Sequence, residues 1–225
     1  MPCAPRCSPT SRRHARPIVL GLTGSVGMGK STAAGMLRRL GVPVHDADAA
    51  VHAMMTRGGA AVPAIAREFP GVVVDGAVDR KALGQRVFDD PAALRRLEAI
   101  LHPRTRAAAH AFSRRPRRAR TPVIVLDIPL LFETGGEHLC HAVAVVSAPH
   151  FVQATRVLRR PGMTRARFAR ILAQQMNDAR KRRRADFIVE TGLGKGRTLR
   201  RLRQILKSLR EEPRTCPRSR RFIRA

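Results

Sequence analysis

Residues 24–32 have the sequence Gly24-Ser-Val-Gly-Met-Gly-Lys-Ser-Thr32, which fits the phosphate-binding loop pattern Gly-x4-Gly-Lys-[Ser/Thr] at every fixed position. The apolar run Ile18–Leu22 before the loop predicts a buried strand, and residues 31–40 after it predict a helix. In such a unit, backbone N–H groups and the positive end of the helix dipole surround a polyphosphate. The Lys30 ammonium is expected to reach the β and γ phosphates, and the Ser31 hydroxyl to ligate Mg²⁺. The loop therefore predicts a nucleoside triphosphate site.

Composition and charge limit the function classes. The chain has 225 residues, 44% of them hydrophobic, which is enough for one α/β domain with inserted subdomains. No apolar run has the length of a membrane span, and the four scattered cysteines favour a reducing, cytoplasmic location. The formal charge of +28 suggests polyanionic ligands, but the absence of Trp and Tyr leaves few stacking platforms for bases. We therefore expect nucleic-acid contacts to be nonspecific only, and a monomer is favoured.

The organisation along the chain predicts a parallel α/β sheet. Residues 1–16 and 210–225 resemble disordered basic extensions, and residues 17–209 form the predicted domain. Predicted strands, several apolar throughout as in parallel sheets, are Ile18–Leu22, Val42–His45, Val123–Asp127, Ala142–Ser147 and Phe187–Glu190. Predicted helices are 31–40, 49–55, 80–87, 91–101, 104–115, 149–158, 165–184 and 198–209. The helical region of about 50–120, with a turn at 74–76, is expected to be an insertion that holds a second substrate.

Two acidic segments follow predicted strands, where ligands of open α/β sheets bind. Asp46 and Asp48 come directly after the second strand, and a carboxylate there can accept the proton of a hydroxyl that is being phosphorylated. One of them can equally cap the next helix. Asp127 ends an apolar strand, as does the Mg²⁺-holding carboxylate of many NTPases, although it can also be a simple strand-terminating residue.

Arg156 and Arg160 lie four residues apart, on one face of a predicted helix. On a mobile helical lid of about 153–182, their guanidinium groups can neutralise a phosphoryl group in transfer. In a chain so rich in arginine, however, solvated arginines explain the spacing equally well.

Together, the motifs resemble the dephospho-CoA kinase family, in the nucleotide-kinase branch of the P-loop NTPases. The resemblance covers about residues 18–209. The segments that carry it are Leu22–Thr32, Asp46-Ala-Asp48 with His52, Asp79-Arg80-x2-Leu83, Val87-Phe88, Leu97-Glu-x-Ile-x-His-Pro103, Pro129-Leu-Leu-Phe-Glu133, Gln153-x2-Arg156-x3-Arg160, Gln175 and Ala185–Val189. The sequence departs from the family at Thr191-Gly-Leu193, where Asn-x-Gly is usual near the adenine.

The resemblance implies a three-layer P-loop sandwich with a parallel sheet, a helical substrate-binding insertion and a small helical lid. It implies transfer of the γ-phosphoryl group of ATP, with Mg²⁺, to the ribose 3′-hydroxyl of dephospho-CoA. Asp48 is the implied base and Asp46 its rival, while Arg156 and Arg160 act from the lid. His102 and Glu133 are expected near the acceptor. The residues implied to bind the ATP phosphates are Gly27, Met28, Gly29, Lys30, Ser31 and Thr32.

Other functions remain open at this point. A P-loop kinase with another nucleoside, nucleotide or small hydroxyl acceptor shares most of these motifs. A nucleic-acid-stimulated ATPase would agree with the charge. A GTP switch protein is disfavoured because the chain contains neither Asn-Lys-x-Asp nor Asp-x-x-Gly, and its single Asn, Asn177, falls within a predicted helix.

Overall fold

The computed structural model describes residues 17–88, 90–114 and 121–211, so the predicted extension 1–16 and all but the first two residues of the predicted tail 210–225 lie outside the described residues. A five-stranded parallel sheet has the order β2-β5-β1-β6-β7. Its strands are β1 Ile18–Thr23, β2 Val44–Asp46, β5 Val123–Asp127, β6 Ala142–Ser147 and β7 Phe187–Glu190. All five predicted strands are confirmed, with β2 shifted by about two residues.

The sheet is covered on both faces, which explains why its strands are apolar throughout. Every residue of β5 and β6 is buried. On one face Leu20 and Leu22 of β1 pack with Leu37 of helix α1, and on the other Val19 packs with Ile124 and Phe112. Two apolar clusters on opposite faces make the three-layer α/β architecture that the sequence predicted.

The helices connect and cover these strands. Their bounds are α1 Lys30–Arg39, α2 Ala47–Met55, α3 Val62–Glu68, α4 Arg80–Phe88, α5 Pro91–Arg114, α6 His150–Leu158, α7 Arg165–Ala173, α8 Asp178–Arg184 and α9 Lys195–Glu211. A short 3-10 helix spans Gly136–Leu139. Among the described residues, no helix combines the length and apolarity that crossing a bilayer requires.

The region between β2 and β5 has a small core of its own. Buried side chains of α2, α3, α4 and α5 form it, namely Met55, Ile65, Leu83 and Leu97. The antiparallel pair β3 Val73–Val74 and β4 Ala77–Val78 turns at residues 75–76, as predicted. The sequence analysis missed this pair and α3, because two-residue strands and a seven-residue helix carry almost no periodicity.

The two helices predicted at 91–101 and 104–115 form one helix, α5, which runs through Pro103. A proline inside a helix leaves a carbonyl without its donor one turn before it. Here neighbouring side chains donate to nearby carbonyls: Arg104 Nη1 to Ile100 O at 2.6 Å, and Thr105 Oγ1 to Leu101 O at 3.1 Å. The carbonyl that Pro103 leaves without its helical donor is that of Ala99, so these contacts do not replace the missing bond. The helix nevertheless continues through Pro103, and the prediction of a break was wrong.

The helix predicted at 165–184 is in fact two helices, α7 and α8. Asn177 caps α8, because its side chain accepts a hydrogen bond from Ala179 N at 2.8 Å. Asparagine competes with helical backbone bonds in this way, so it begins a helix more readily than it continues one. The break between the helices frees Gln175 and Met176 for contacts elsewhere.

Candidate active site

The carboxyl ends of β2, β5 and β1 lie side by side, and they bring the acidic and phosphate-loop motifs to one edge of the sheet. In the strand register, Asp127 of β5 lies opposite Asp46 of β2 and Leu22 of β1. The loop 24–29 continues from β1 at this edge. Lys30 Nζ lies 2.5 Å from Asp127 Oδ1, and the Asp127 side chain is almost fully buried. Burial raises the pKa of Asp127, and the Lys30 ammonium opposes that rise.

Two glycines of the loop are required by its geometry. A Cβ on Gly24 would lie 2.6 Å from Val146 O of the neighbouring strand, so no side chain fits there. Gly29 has φ +89°, in the left-handed region that favours glycine, and it immediately precedes α1. The loop therefore turns tightly and directs the backbone N–H groups at the N-terminus of α1 toward the space above the loop.

Two glutamines, one on each side of α7 in the chain, hold the peptide groups on either side of Val26. Gln153 Nε2 of α6 donates to Val26 O at 2.8 Å. Val26 N donates to Gln175 Oε1 at 3.0 Å. Because Gln153 precedes α7 and Gln175 follows it, the chain is anchored to the phosphate loop on both sides of α7.

Arg156 is the most firmly positioned arginine of the site. Its Nη1 donates to Thr191 Oγ1 at 2.9 Å, and its Nη2 donates to Thr191 O at 2.8 Å. Thr191 Oγ1 in turn donates to Met28 O of the loop at 2.6 Å. Arg160 lies two residues beyond the end of α6 and not on the helix as predicted, and its side chain is exposed. Hydrogen bonds to Thr191 thus fix the Arg156 side chain in place, and no side-chain hydrogen bond of this kind is found for Arg160 among the described residues.

A cavity of about 630 Å³ lies over the loop and the N-terminus of α1. Its size matches that of a nucleotide site. The residues that line it are Gly24, Ser25, Val26, Gly27, Gly29, Lys30, Ser31, Thr32, Asp48, Pro129, Arg156, Arg160, Gln175, Thr191, Lys195 and Thr198. The loop, one aspartate and both lid arginines predicted from the sequence therefore meet in one space.

Asp46 and Asp48 have different surroundings. Asp46 caps α2, because its Oδ1 accepts a hydrogen bond from Ala49 N at 3.0 Å, and its Oδ2 lies 3.7 Å from Arg38 Nη2. Asp48, in the first turn of α2, lines the cavity and is exposed to it. The helix cap and the candidate base are therefore two different carboxylates.

Four other predicted residues are not among the cavity-lining residues: Asp127, which lies behind Lys30, and Met28, His102 and Glu133. The Met28 side chain is buried in the core, and its Sδ accepts a hydrogen bond from Ala148 N. His102 is on α5, half-buried. Glu133 Oε1 accepts a hydrogen bond from Met176 N at 2.8 Å and lies 2.9 Å from Lys181 Nζ. The sequence resemblance predicted Glu133 near the acceptor, whereas in the structure its carboxylate contacts Met176 and Lys181 of the protein itself.

The structure adds cavity-lining positions to which the sequence analysis gave no role. Thr191 follows β7 and lies against the loop, while Lys195 and Thr198 line the cavity from the first turn of α9. Their position after the last parallel strand was the available signal, because ligands bind at the carboxyl ends of such strands.

Comparison with known proteins agrees with this geometry. A family model described as dephospho-CoA kinase matches residues 18–194. A dephospho-CoA kinase of Rhodospirillum rubrum is 56% identical over 208 residues, which cover 92% of this chain and 99% of the relative. The chain belongs to the dephospho-CoA kinase family. The resemblance seen in the sequence motifs is thereby confirmed.

Another member of the dephospho-CoA kinase family and a solved structure are also similar to this chain. The dephospho-CoA kinase of Paramagnetospirillum magneticum is 70% identical over 164 residues, or 73% of this chain and 77% of the relative. The crystal structure of TT1252 from Thermus thermophilus is 38% identical with a TM-score of 0.74, and covers 87% of this chain and 99% of its own. The predicted fold class is confirmed by this match and by the observed sheet.

Proposed function

We propose that this protein transfers the γ-phosphoryl group of MgATP to the ribose 3′-hydroxyl of dephospho-CoA, forming coenzyme A. Membership of the dephospho-CoA kinase family supports this activity. The observation that carries the mechanism is that the phosphate loop and Asp48 line the same cavity. Both halves of the reaction, a bound triphosphate and an activated hydroxyl, can therefore meet there.

The triphosphate end of the donor would bind across the loop and the N-terminus of α1. Backbone N–H groups of the loop and the positive end of the α1 dipole favour negative charge at this position. Asp127 holds the Lys30 ammonium over the loop. When a triphosphate is bound, the Lys30 ammonium would exchange this carboxylate for β- and γ-phosphate oxygens.

Asp48 would accept the proton of the ribose 3′-hydroxyl and orient its oxygen toward the γ-phosphorus. The reaction then breaks the bond between the γ-phosphorus and the β–γ bridging oxygen, and forms one to the 3′-oxygen. Asp48 is suited to this role because its carboxylate faces the cavity, whereas the Asp46 carboxylate is engaged as a helix cap. His102, on α5 of the insertion, remains our prediction for the acceptor side.

The oxygen donors at the loop fit a magnesium ion. The Ser31 hydroxyl and the Asp127 carboxylate are hard oxygen ligands, and Mg²⁺ takes few protein ligands together with phosphate oxygens and water. Ser31 lines the cavity directly, and Asp127 lies behind Lys30. When bound, the ion neutralises charge on the β- and γ-phosphates.

A coupled assay tests the proposed function most directly. Purified protein with MgATP should release ADP rapidly when dephospho-CoA is added and only slowly without it. Coenzyme A should form in equal amount. Faster ADP release with a nucleoside or nucleoside monophosphate than with dephospho-CoA would assign a different acceptor and contradict the proposal.

The fixed position of Arg156 leads to a specific prediction. Arg156→Lys should lower kcat/KM for ATP by about tenfold to a hundredfold, because lysine keeps the charge but loses the two-pronged contact, and one charged hydrogen bond contributes about 1.5–3 kcal/mol. Steady-state kinetics measure this change. Arg160→Lys is the matched control and should retain more activity, because Arg160 also lines the cavity but its side chain makes no such pair of hydrogen bonds with the described residues. Equal losses in the two variants would show that anchoring of Arg156 is unimportant.

A further inference from the structure

A second concave site lies on the edge of the sheet, outside the catalytic cavity. A groove of about 530 Å³ runs between α8, β7 and α9, and β7 is an edge strand of the described sheet. The residues that line it are Arg182, Ile188, Glu190, Arg197, Arg200, Arg201 and Gln204. It shares no lining residue with the catalytic cavity.

The charge of this groove is largely uncompensated. Four guanidinium groups face a single carboxylate, that of Glu190. Within the described ranges, none of the four arginines is within ion-pair distance of an acid. Gathering like charges in a concave site raises the local potential and concentrates anions there. The groove therefore has the positive potential of an anion-binding site, and the Glu190 carboxylate compensates only part of it.

One of the arginines is held in place by the fold. Arg201 Nε donates to Ile188 O of the edge strand at 3.1 Å. Arg197, Arg200 and Arg201 follow one another at helical spacing on the same face of α9. Guanidinium forks match phosphate oxygens in pairs, so several of them on one face suit a ligand with several phosphates.

We propose that this groove binds a small anion with several phosphate groups, such as inorganic tripolyphosphate or a free nucleoside triphosphate, at a site separate from the catalytic cavity. A cavity of this volume is in the range of small-ligand sites. No aromatic residue lines it, so it lacks the stacking platforms that single-stranded nucleic acid uses. The ligand is recognised by its phosphates and not by a base.

Titration calorimetry of the full chain with sodium tripolyphosphate tests this proposal. The Lys30→Ala background weakens binding at the phosphate loop, and one saturable site should remain at physiological salt. Adding Arg197→Glu and Arg200→Glu should weaken that site by at least about tenfold, because charged hydrogen bonds are lost. The matched control is the pair Arg203→Glu and Arg210→Glu, two exposed arginines of the same helix that do not line the groove; it changes the net charge equally and should leave the affinity unchanged.

Several results would overturn the proposal. One is the absence of a saturable site in the Lys30→Ala protein. Another is equal weakening by the control pair and by the groove pair, which would indicate a net-charge effect. Binding of an oligouridylate without tripolyphosphate binding would assign the surface to nucleic acid instead. The groove pair in an otherwise unchanged chain should keep its melting temperature and its coenzyme A formation, so a failure of this proposal is distinguishable from a failure of the proposed function.

Discussion

Replacing Asp48 by asparagine is expected to lower kcat for coenzyme A formation by about two to four orders of magnitude, the usual contribution of a positioned general base. Asparagine has nearly the same shape but cannot accept the ribose proton. Because the phosphate loop is untouched, the affinity for MgATP should stay near that of the unmodified protein. Single-turnover kinetics with saturating MgATP and a nucleotide titration measure the two quantities separately.

The matched control for this variant is Asp46→Asn, two residues away. Asparagine caps helices about as well as aspartate, so the bond to Ala49 N is retained and the fold should be unaffected. Asp46→Asn should therefore keep most of its turnover. A large loss in Asp46→Asn combined with normal turnover in Asp48→Asn would transfer the role of base to Asp46.

The parallel sheet was predictable because the apolar composition of its strands indicates directly that they are buried. Strands covered on both faces are almost continuous apolar runs, as β5 and β6 are. The error at Pro103 has a different origin. A proline removes one helical hydrogen bond and so favours a helix end, but it does not always end the helix, and α5 continues through Pro103.

The site was partly predictable for a similar reason. The phosphate loop is a local motif, and Asp48 follows a strand whose carboxyl end fixes its position. The anchoring of Arg156 was not predictable, because it depends on Thr191, which contacts a loop residue 163 positions earlier in the chain. Spacing alone could not separate this arginine from solvated ones. Only the tertiary contact does so.

The ion pair between Glu133 and Lys181 is a second tertiary contact that spacing in the sequence could not reveal. Its loss is expected to have a large effect on stability. Residues 180–184 are all basic, and their sequence does not reveal which of them is buried. In the structure the Lys181 side chain has no exposed area, and its ammonium lies 2.9 Å from Glu133 Oε1. Burial by itself raises the pKa of Glu133, but the Lys181 ammonium and the Met176 N–H outweigh it and hold that pKa below its ordinary range.

Glu133→Gln is therefore expected to destabilise the protein by about 3–5 kcal/mol, because it leaves the buried Lys181 ammonium without its counter-charge. For a chain of this length the melting temperature should fall by about 10 °C. Glutamine keeps an oxygen for Met176 N, so the change isolates the ion pair. The matched control is Glu211→Gln, which removes an exposed pair with Lys207 at 3.8 Å and should cost less than about 1 kcal/mol.

A second substitution separates this explanation from a role of Glu133 in acceptor binding. Adding Lys181→Met to Glu133→Gln removes the unpaired charge as well, so most of the lost stability should return.

The lowered pKa of Glu133 fixes the sign of the pH dependence. The pair stabilises the fold above the ordinary pKa of a glutamate, and this contribution is lost as the pH falls below about 4. The stability difference between the unmodified protein and Glu133→Gln should accordingly shrink in acid. A Glu133→Gln protein of normal stability whose only defect is a raised KM for dephospho-CoA would instead make Glu133 a ligand of the acceptor.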